Sequence, residues 1–137
     1  MKTRIKHIEN VCLMAESESG HSLIIDGSAE IGGRNLGVRP MEMILMGLGG
    51  CTTMDVLTIL RKKRQNITDC VIEIDSQRRD SIPKIFSKIH LHFIITGDNL
   101  NEKHVQQAVQ LSVEKYCSVA EMLKHSVEIS YDYEINA

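Results

Sequence analysis

The feature that most constrains the fold is a long apolar segment, Met41–Arg64, which begins directly after Pro40. Proline is favourable at the first position of a helix, because its missing N–H would have no partner there. The segment ends in four cations, Arg61-Lys62-Lys63-Arg64, which suit a helix C-terminus. Apolar residues cover nearly every side of the intervening helix, which is typical of a buried central helix. We therefore predict a buried helix over residues 40–65.

Three glycines interrupt this helix just before a cysteine: Gly47, Gly49 and Gly50 precede Cys51. Each glycine weakens a helix by roughly 1 kcal/mol relative to alanine. Because glycine lets another segment approach closely, the cluster predicts tight packing against this turn. The small neighbours also leave room above the sulfur of Cys51.

Alternating apolar residues predict strands on both sides of the helix. Within the second strand pair, one face carries Ile85, Ile89, Leu91, Phe93 and Ile95, whereas Phe86 and Ile94 break the alternation. The chain is predicted to be one domain over residues 1–137 of the α+β class. Its elements are N-terminal strands and a glycine-rich loop over 1–39 (strands at 3–10, 11–16 and 21–26), the buried helix over 40–65, two strands over 69–97, two helices over 101–124 and a final strand over 127–135.

A second cysteine, Cys117, lies at a predicted break between two helices. Ser118 and Glu121 have the spacing of a capping box, which predicts a new helix with Ser118 as its N-cap and a bend at Cys117. Backbone N–H groups at the start of that helix would favour a nearby thiolate.

Composition indicates a globular domain, with 42% apolar and 25% charged residues in 137. A net charge of -2 gives no global reason to expect nucleic acid or an anionic membrane as a partner. The stretch Met43–Leu60 is expected to be too short and too polar for a membrane span. Without a recognisable signal peptide we expect a cytoplasmic protein. Thiols stay reduced there, so four cysteines are better interpreted as free, catalytic or metal-bound than as a disulfide framework.

The remaining candidate residues favour structural interpretations. Cys12 and Cys70 lie on predicted strands and are expected to be small core residues. His90 and His92 share a strand face, but no third ligand is near in sequence, so we predict exposed polar residues rather than a metal site. The cations at the end of the long helix suit its C-terminus better than nucleic acid. No cofactor is predicted.

Two motifs resemble the OsmC/Ohr family of osmotically inducible and organic hydroperoxide resistance proteins. The stretch from Pro40 to Cys51 resembles the family signature P-x-E-x-L-L-x-x-x-G-x-C, and Glu114–Val119 resembles its second motif, usually K-x-C-P-V. The segments Pro-Met-Glu-Met and Glu-Lys-Tyr-Cys-Ser-Val are most similar to the YhfA-like branch. The resemblance covers essentially the whole chain, including the separation between Cys51 and Cys117.

This resemblance implies a tightly intertwined homodimer, in which antiparallel β-sheets wrap two long central helices and both active sites lie at the subunit interface. It also implies a peroxidase activity on organic hydroperoxides. Cys51 would attack the peroxide and become a sulfenic acid, which Cys117 would resolve as a disulfide. A dithiol would restore the thiols; in the family this is often a lipoyl-bearing protein.

The family mechanism further needs a cation that lowers the pKa of the attacking thiol. In the hydroperoxide-resistance branch this cation is an arginine, held by a glutamate directly after the motif proline. Met41 occupies that position here, and the carboxylate is Glu42, whose side chain is turned by about 100°. Glu42 is therefore a candidate both for catalysis and for stabilising the helix N-terminus. Arg34 and Arg39 are candidates for the activating cation.

Two other functions stay open. The same dimeric fold could bind an apolar or thiol-reactive small molecule without turnover, which the displaced carboxylate favours. A reversible Cys51–Cys117 disulfide could instead act as a redox sensor that changes partner affinity. The methionines of the long helix are core residues by default, and at a dimer interface they could line an apolar pocket for an alkyl peroxide: Met41, Met43, Met46 and Met54.

Overall fold

The computed structural model describes residues 1–137, which form two compact units, Met1–Met46 and Gly47–Ala137. The elements are, in chain order, β1 (Thr3–Glu9), β2 (Cys12–Ser17), β3 (Ser22–Ile25), α1 (Pro40–Lys62), β4 (Asn66–Arg78), β5 (Phe86–Asp98), α2 (Glu102–Leu111), α3 (Ser118–Leu123) and β6 (Glu128–Asn136). A 3-10 turn, Ala29–Ile31, precedes α1, and a π-helical turn, Ser112–Tyr116, separates α2 from α3. The α+β class is confirmed, while the single domain over residues 1–137 stays a prediction.

The first unit contains an antiparallel sheet with the strand order β1-β2-β3. Its strands begin and end within one residue of the predicted positions. Gly20, in the turn between β2 and β3, has a φ of 90°, a conformation that glycine adopts easily because it has no Cβ.

Asp26 organises the loop that follows β3. Its side chain is buried, and its carboxylate accepts hydrogen bonds from the backbone N–H groups of Gly27 (2.7 Å), Arg34 (3.1 Å) and Leu36 (3.0 Å). These three donors stabilise the ionised form and lower the pKa of Asp26, with the Leu36 N–H as the largest contribution. The glycine-rich loop is therefore wrapped around one buried carboxylate.

Helix α1 is buried along one stripe and not on all sides as predicted. The buried residues recur mostly at every fourth position, which places them on one face: Leu48, Gly49, Thr52, Val56 and Leu60. Met46 and Met54 are exposed on the surface of this chain, at 56% and 71%. The apolar composition of α1 thus exceeds what a single chain buries.

The expectation that this segment is too short and too polar for a membrane span is wrong on both counts. Helix α1 has 23 residues, and its most apolar 18-residue window has a mean hydropathy of 1.7. By length and composition alone it could cross a membrane. The core helix of a soluble protein meets the same criterion.

In the second unit, α1 approaches β4 at Gly49. A Cβ built on Gly49 would lie 2.8 Å from Cδ1 of Ile74, whereas one on Gly47 or Gly50 would meet nothing within 4 Å. The predicted close approach is therefore confirmed at Gly49 within the chain.

Strand β5 is the central strand of the second sheet, and its inner face forms much of the core. Its buried apolar side chains are those of Phe86, Ile89, Leu91, Phe93 and Ile95. Phe86 breaks the sequence alternation because the register shifts opposite Gln77 and Arg78, which leaves one additional residue in β5. This bulge returns Phe86 to the buried face.

The direction of strand β6 differs from the expected antiparallel arrangement. It pairs parallel to β5, while β4 pairs antiparallel, so the second sheet is mixed rather than antiparallel throughout. The reason is the connection: α2, the π-helical turn and α3 lie between β5 and β6, and such a crossover returns the chain to the end at which β5 began.

Candidate functional site

The second unit brings together the two cysteines that the sequence motifs single out. The Sγ atoms of Cys51 and Cys117 and a carboxylate oxygen of Asp55 all lie within 4.8 Å of one another. Cys51 and Asp55 are four residues apart on α1, so they lie on the same face of that helix. All four cysteines of the chain are free thiols.

The π-helical turn sets the position of Cys117. Its backbone N–H donates to the carbonyl of Ser112 (2.8 Å), five residues earlier, which ends the helical path. Cys117 then has an extended backbone (φ -69°, ψ 112°), and α3 begins at the next residue. The predicted bend is therefore present at Cys117.

The N-cap of α3 is Cys117, however, and not Ser118 as predicted. The Sγ of Cys117 accepts a hydrogen bond from the backbone N–H of Ala120 at 3.3 Å. The capping box motif correctly marked the start of the helix but was displaced by one residue. The second thiol consequently has a structural role as a helix cap in addition to any chemical role.

Burial dominates the ionisation of Cys117. The residue is 1% exposed, and burial raises the pKa of its thiol to about 12. The neighbouring Cys51 thiol adds to this rise, whereas the N–H groups of Ala120 and Val119 oppose it. The predicted N–H groups are thus present, but they do not outweigh the loss of solvation. No cation contributes to this balance.

Asp55 is a member of the site that the sequence motifs did not reveal. The buried hydroxyl of Ser112 lies within donor distance of the backbone carbonyl of Thr52 (2.9 Å) and of Oδ2 of Asp55 (3.2 Å). This contact joins α1 to the residue at which the π-helical turn begins. A signal was present in the sequence, since Asp55 is the one acidic residue between Glu42 and the end of α1 and lies four residues after Cys51.

Glu42 lies near the beginning of α1. Its carboxylate accepts a hydrogen bond from the backbone N–H of Arg39 at 2.8 Å. This contact accounts for an acidic residue at the N-terminus of the helix, where an N–H group would otherwise lack a partner. The catalytic role of Glu42 stays a prediction.

The two candidate arginines have partners within the first unit. The guanidinium of Arg34 forms an ion pair with Glu9. The guanidinium of Arg39 donates to the Asn35 side chain (2.9 Å) and to the carbonyl of Gly37 (3.1 Å). The activation of Cys51 by either arginine stays a prediction.

Cys12 is a core residue as predicted, whereas Cys70 is not part of the core. Cys12 is buried on β2, and Cys70 is half-buried on β4. Burial is the main reason that the pKa of each thiol is raised. Neither belongs to the group of ligand atoms around Cys51.

His90 and His92 contact an acidic residue that is distant in sequence. Asp132, on the parallel strand β6, accepts hydrogen bonds at Oδ1 from His90 Nε2 (3.0 Å) and His92 Nδ1 (2.6 Å). The two histidines are therefore held in a polar network on the open face of the sheet.

The chain is similar to proteins of one family in both sequence and structure. Residues 32–132 match the family model described as OsmC-like protein. Protein YhfA of Escherichia coli strain K12 is 44% identical over 137 residues, which cover 100% of this chain and 99% of the relative. A hypothetical protein from Aquifex aeolicus VF5 has a crystal structure with a TM-score of 0.83 at 32% identity, covering 99% of this chain and 97% of that one.

A structure at lower identity shows the same fold. The crystal structure of an organic hydroperoxide resistance protein OsmC from Legionella pneumophila has a TM-score of 0.72 at 18% identity. The match covers 98% of this chain and 97% of that one.

Proposed function

The chain belongs to the OsmC-like protein family, and we propose that it is a thiol-dependent peroxidase that reduces organic hydroperoxides. The observation that carries the proposal is the position of the Cys51 and Cys117 sulfur atoms, within 4.8 Å of each other. A disulfide requires about 2.05 Å between sulfurs, so the two side chains must move toward each other when the bond forms.

The two thiols differ in a way that assigns their roles. Cys51 is half-buried, whereas Cys117 is 1% exposed. A peroxide therefore reaches Cys51 more easily, and the high pKa of Cys117 makes it a poor first nucleophile. Cys51 is the peroxide-reactive thiol in this proposal, and Cys117 is the resolving thiol.

The proposed reaction balances in three steps. The Cys51 thiolate attacks one peroxide oxygen and the O–O bond breaks, which releases an alcohol after proton uptake and leaves a sulfenic acid. Cys117 attacks the Cys51 sulfur and the S–O bond breaks, which releases water and forms the disulfide. A dithiol reductant, such as a lipoyl-bearing protein, then returns two electrons and two protons.

We further propose that the protein is a homodimer that associates through the exposed side of α1. Met46, Gly50, Met54 and Leu57 are exposed and follow one another at intervals of three or four residues, so they share a face opposite the buried stripe. A continuous apolar surface of this kind is unusual on a monomer. A second copy would cover these methionines and complete an apolar site for the alkyl part of a peroxide.

The peroxidase proposal is tested by peroxide consumption with cumene hydroperoxide and a dithiol. Cys51→Ser should eliminate turnover. Cys117→Ser should leave a sulfenic acid at Cys51 that a carbon nucleophile such as dimedone labels. Cys70→Ser is the matched control and should turn over like the wild type. Undiminished turnover by Cys51→Ser would exclude the proposed mechanism.

One observation favours a second candidate function, a non-catalytic binding protein. Asp55 places a carboxylate oxygen within 4.8 Å of both sulfur atoms, and no cation contributes to the pKa of Cys117. Such surroundings oppose thiolate formation. Native mass spectrometry of the purified dimer should then detect a retained small molecule while peroxide consumption is absent.

A further inference from the structure

Asp55 lies beside Cys51 and Cys117 but has no role in the peroxidase proposal. A peroxide-reactive thiol benefits from a neighbouring cation, whereas a second thiol and a carboxylate lie within 4.8 Å of the Cys51 sulfur. If both thiols lost their protons, three negative charges would lie within 4.8 Å of one another. This arrangement is unfavourable alone and becomes favourable when a divalent cation is bound among the three groups.

We propose that Cys51, Asp55 and Cys117 form a three-ligand binding site for Zn²⁺. Two thiolates and one carboxylate are ligands that zinc accepts, at about 2.3 Å for sulfur and about 2.0 to 2.2 Å for oxygen. The proposal does not rest on the peroxidase activity.

The distances suit a tetrahedral ion. In a tetrahedral zinc site, neighbouring ligand atoms are separated by about 3.5 to 3.8 Å. The three ligand atoms already lie within 4.8 Å of one another, so rotation of side chains closes the remaining gap. A fourth position stays open to water, since Cys51 and Asp55 are only half-buried.

The supporting contacts hold two of the ligands in position. Ser112 lies 3.2 Å from Oδ2 of Asp55, which leaves the other carboxylate oxygen available. Cys117 is fixed by the π-helical turn on one side and by the N–H of Ala120 on the other. In other metal sites, hydrogen bonds of this kind to the ligands commonly contribute about 10- to 100-fold to metal affinity.

Zinc binding is tested on the reduced, metal-free full-length protein by titration with Zn²⁺ in competition with a chromophoric chelator. The wild type should bind one Zn²⁺ per chain. Cys51→Ser, Cys117→Ser and Asp55→Asn each alter a ligand, so each should weaken binding by more than the about 10- to 100-fold lost with a hydrogen-bond partner around the ligands. Cys70→Ser and Asp75→Asn are the matched thiol and carboxylate controls, and both should bind like the wild type.

Alkylation mapping provides a second measurement with an internal control. Zn²⁺ should suppress the labelling of Cys51 by iodoacetamide, while the labelling of Cys70 stays unchanged. Retention of the fold is checked by circular dichroism, and the hydroxyl of Cys117→Ser can still cap α3.

Two results would overturn the proposal: wild-type zinc affinity in Cys51→Ser or Cys117→Ser, or wild-type affinity in Asp55→Asn. Peroxide consumption by the metal-free wild type is measured separately. A result that contradicts the zinc site can therefore be distinguished from one that contradicts the peroxidase activity.

Discussion

At the scale of single residues, the structural role of Cys117 as a buried helix cap opposes its reactivity as a thiolate. Its buried sulfur caps α3 by accepting the Ala120 N–H, and that burial raises its pKa to about 12. A thiol of this kind stays protonated at neutral pH. In the proposed peroxidase reaction it acts only when a reactive sulfur is already beside it, which is the situation expected after Cys51 is oxidised.

Asp26 gives a prediction of stability at the same scale. Asp26→Asn removes one carboxylate oxygen and places an N–H₂ group where backbone donors converge, so we expect a loss of about 1 to 3 kcal/mol at pH 7. The ordinary pKa of aspartate is about 3.9 and that of Asp26 is lower. Its stabilising contribution is therefore present above the ordinary value and is lost as the pH falls through the folded-state value.

Urea unfolding of the wild type and Asp26→Asn at several pH values checks this prediction. The difference between the two proteins should narrow toward pH 2. Asp75→Asn, which changes an exposed carboxylate, should differ little from the wild type at any pH. An equal difference at pH 7 and pH 2 would contradict the role assigned to the Asp26 charge.

The motifs around Cys51 and Cys117 allowed the cysteine pair to be predicted, because each thiol lies in a local pattern that can be recognised. Asp26 and Asp55 could not be assigned in the same way. Asp55 contacts Ser112, 57 residues later, and the donors to Asp26 are supplied by a loop whose path no local pattern specifies.

At the scale of elements, local periodicity was sufficient to predict the buried residues of an element that buries one face. The alternation in β5 correctly predicted Ile89, Leu91, Phe93 and Ile95 as core residues. At the start of the strand it was wrong, because the bulge buries Phe86 and the predicted Ile85 is exposed at 37%. Periodicity could not predict the direction of β6, because strand direction depends on how the connecting helices return the chain. It also could not predict which side of α1 is buried, since nearly all sides are apolar.

The pairing of β5 with β6 gives a prediction about pH. The hydrogen bond to Asp132 is the main reason that the pKa of His92 is raised; Glu134 and Glu73 also favour its protonated form. His92 in turn makes the largest contribution to the lowered pKa of Asp132. The stabilising contribution of His92 is complete below about pH 6.5 and is lost as the pH rises through its folded-state value.

Nuclear magnetic resonance titration of the histidine side chains checks this network. Asp132→Asn should lower the pKa of His92, because it removes the carboxylate that accepts a hydrogen bond from His92 Nδ1. A His92 pKa that does not respond to Asp132→Asn would show that the contact has no electrostatic effect.

At the scale of the whole molecule, the unpartnered glycines of α1 test the proposed dimer. A Cβ on Gly50 meets nothing within 4 Å in one chain, so Gly50→Ala should stabilise a monomer by about 0.5 to 1 kcal/mol. If a second copy packs on the face that contains Met46 and Met54, the added methyl group should instead weaken association. Sedimentation over a dilution series separates these outcomes, and a monomeric wild type would contradict the proposed dimer.

The most direct test of the central claim is the fate of the two thiols after reaction with one equivalent of cumene hydroperoxide. Peptide mapping by mass spectrometry without reduction should identify a Cys51–Cys117 disulfide, with Cys12 and Cys70 still free. Oxidation confined to Cys12 or Cys70, or an unreacted Cys51 under the same conditions, would contradict the claim that Cys51 and Cys117 form the peroxide-reducing pair.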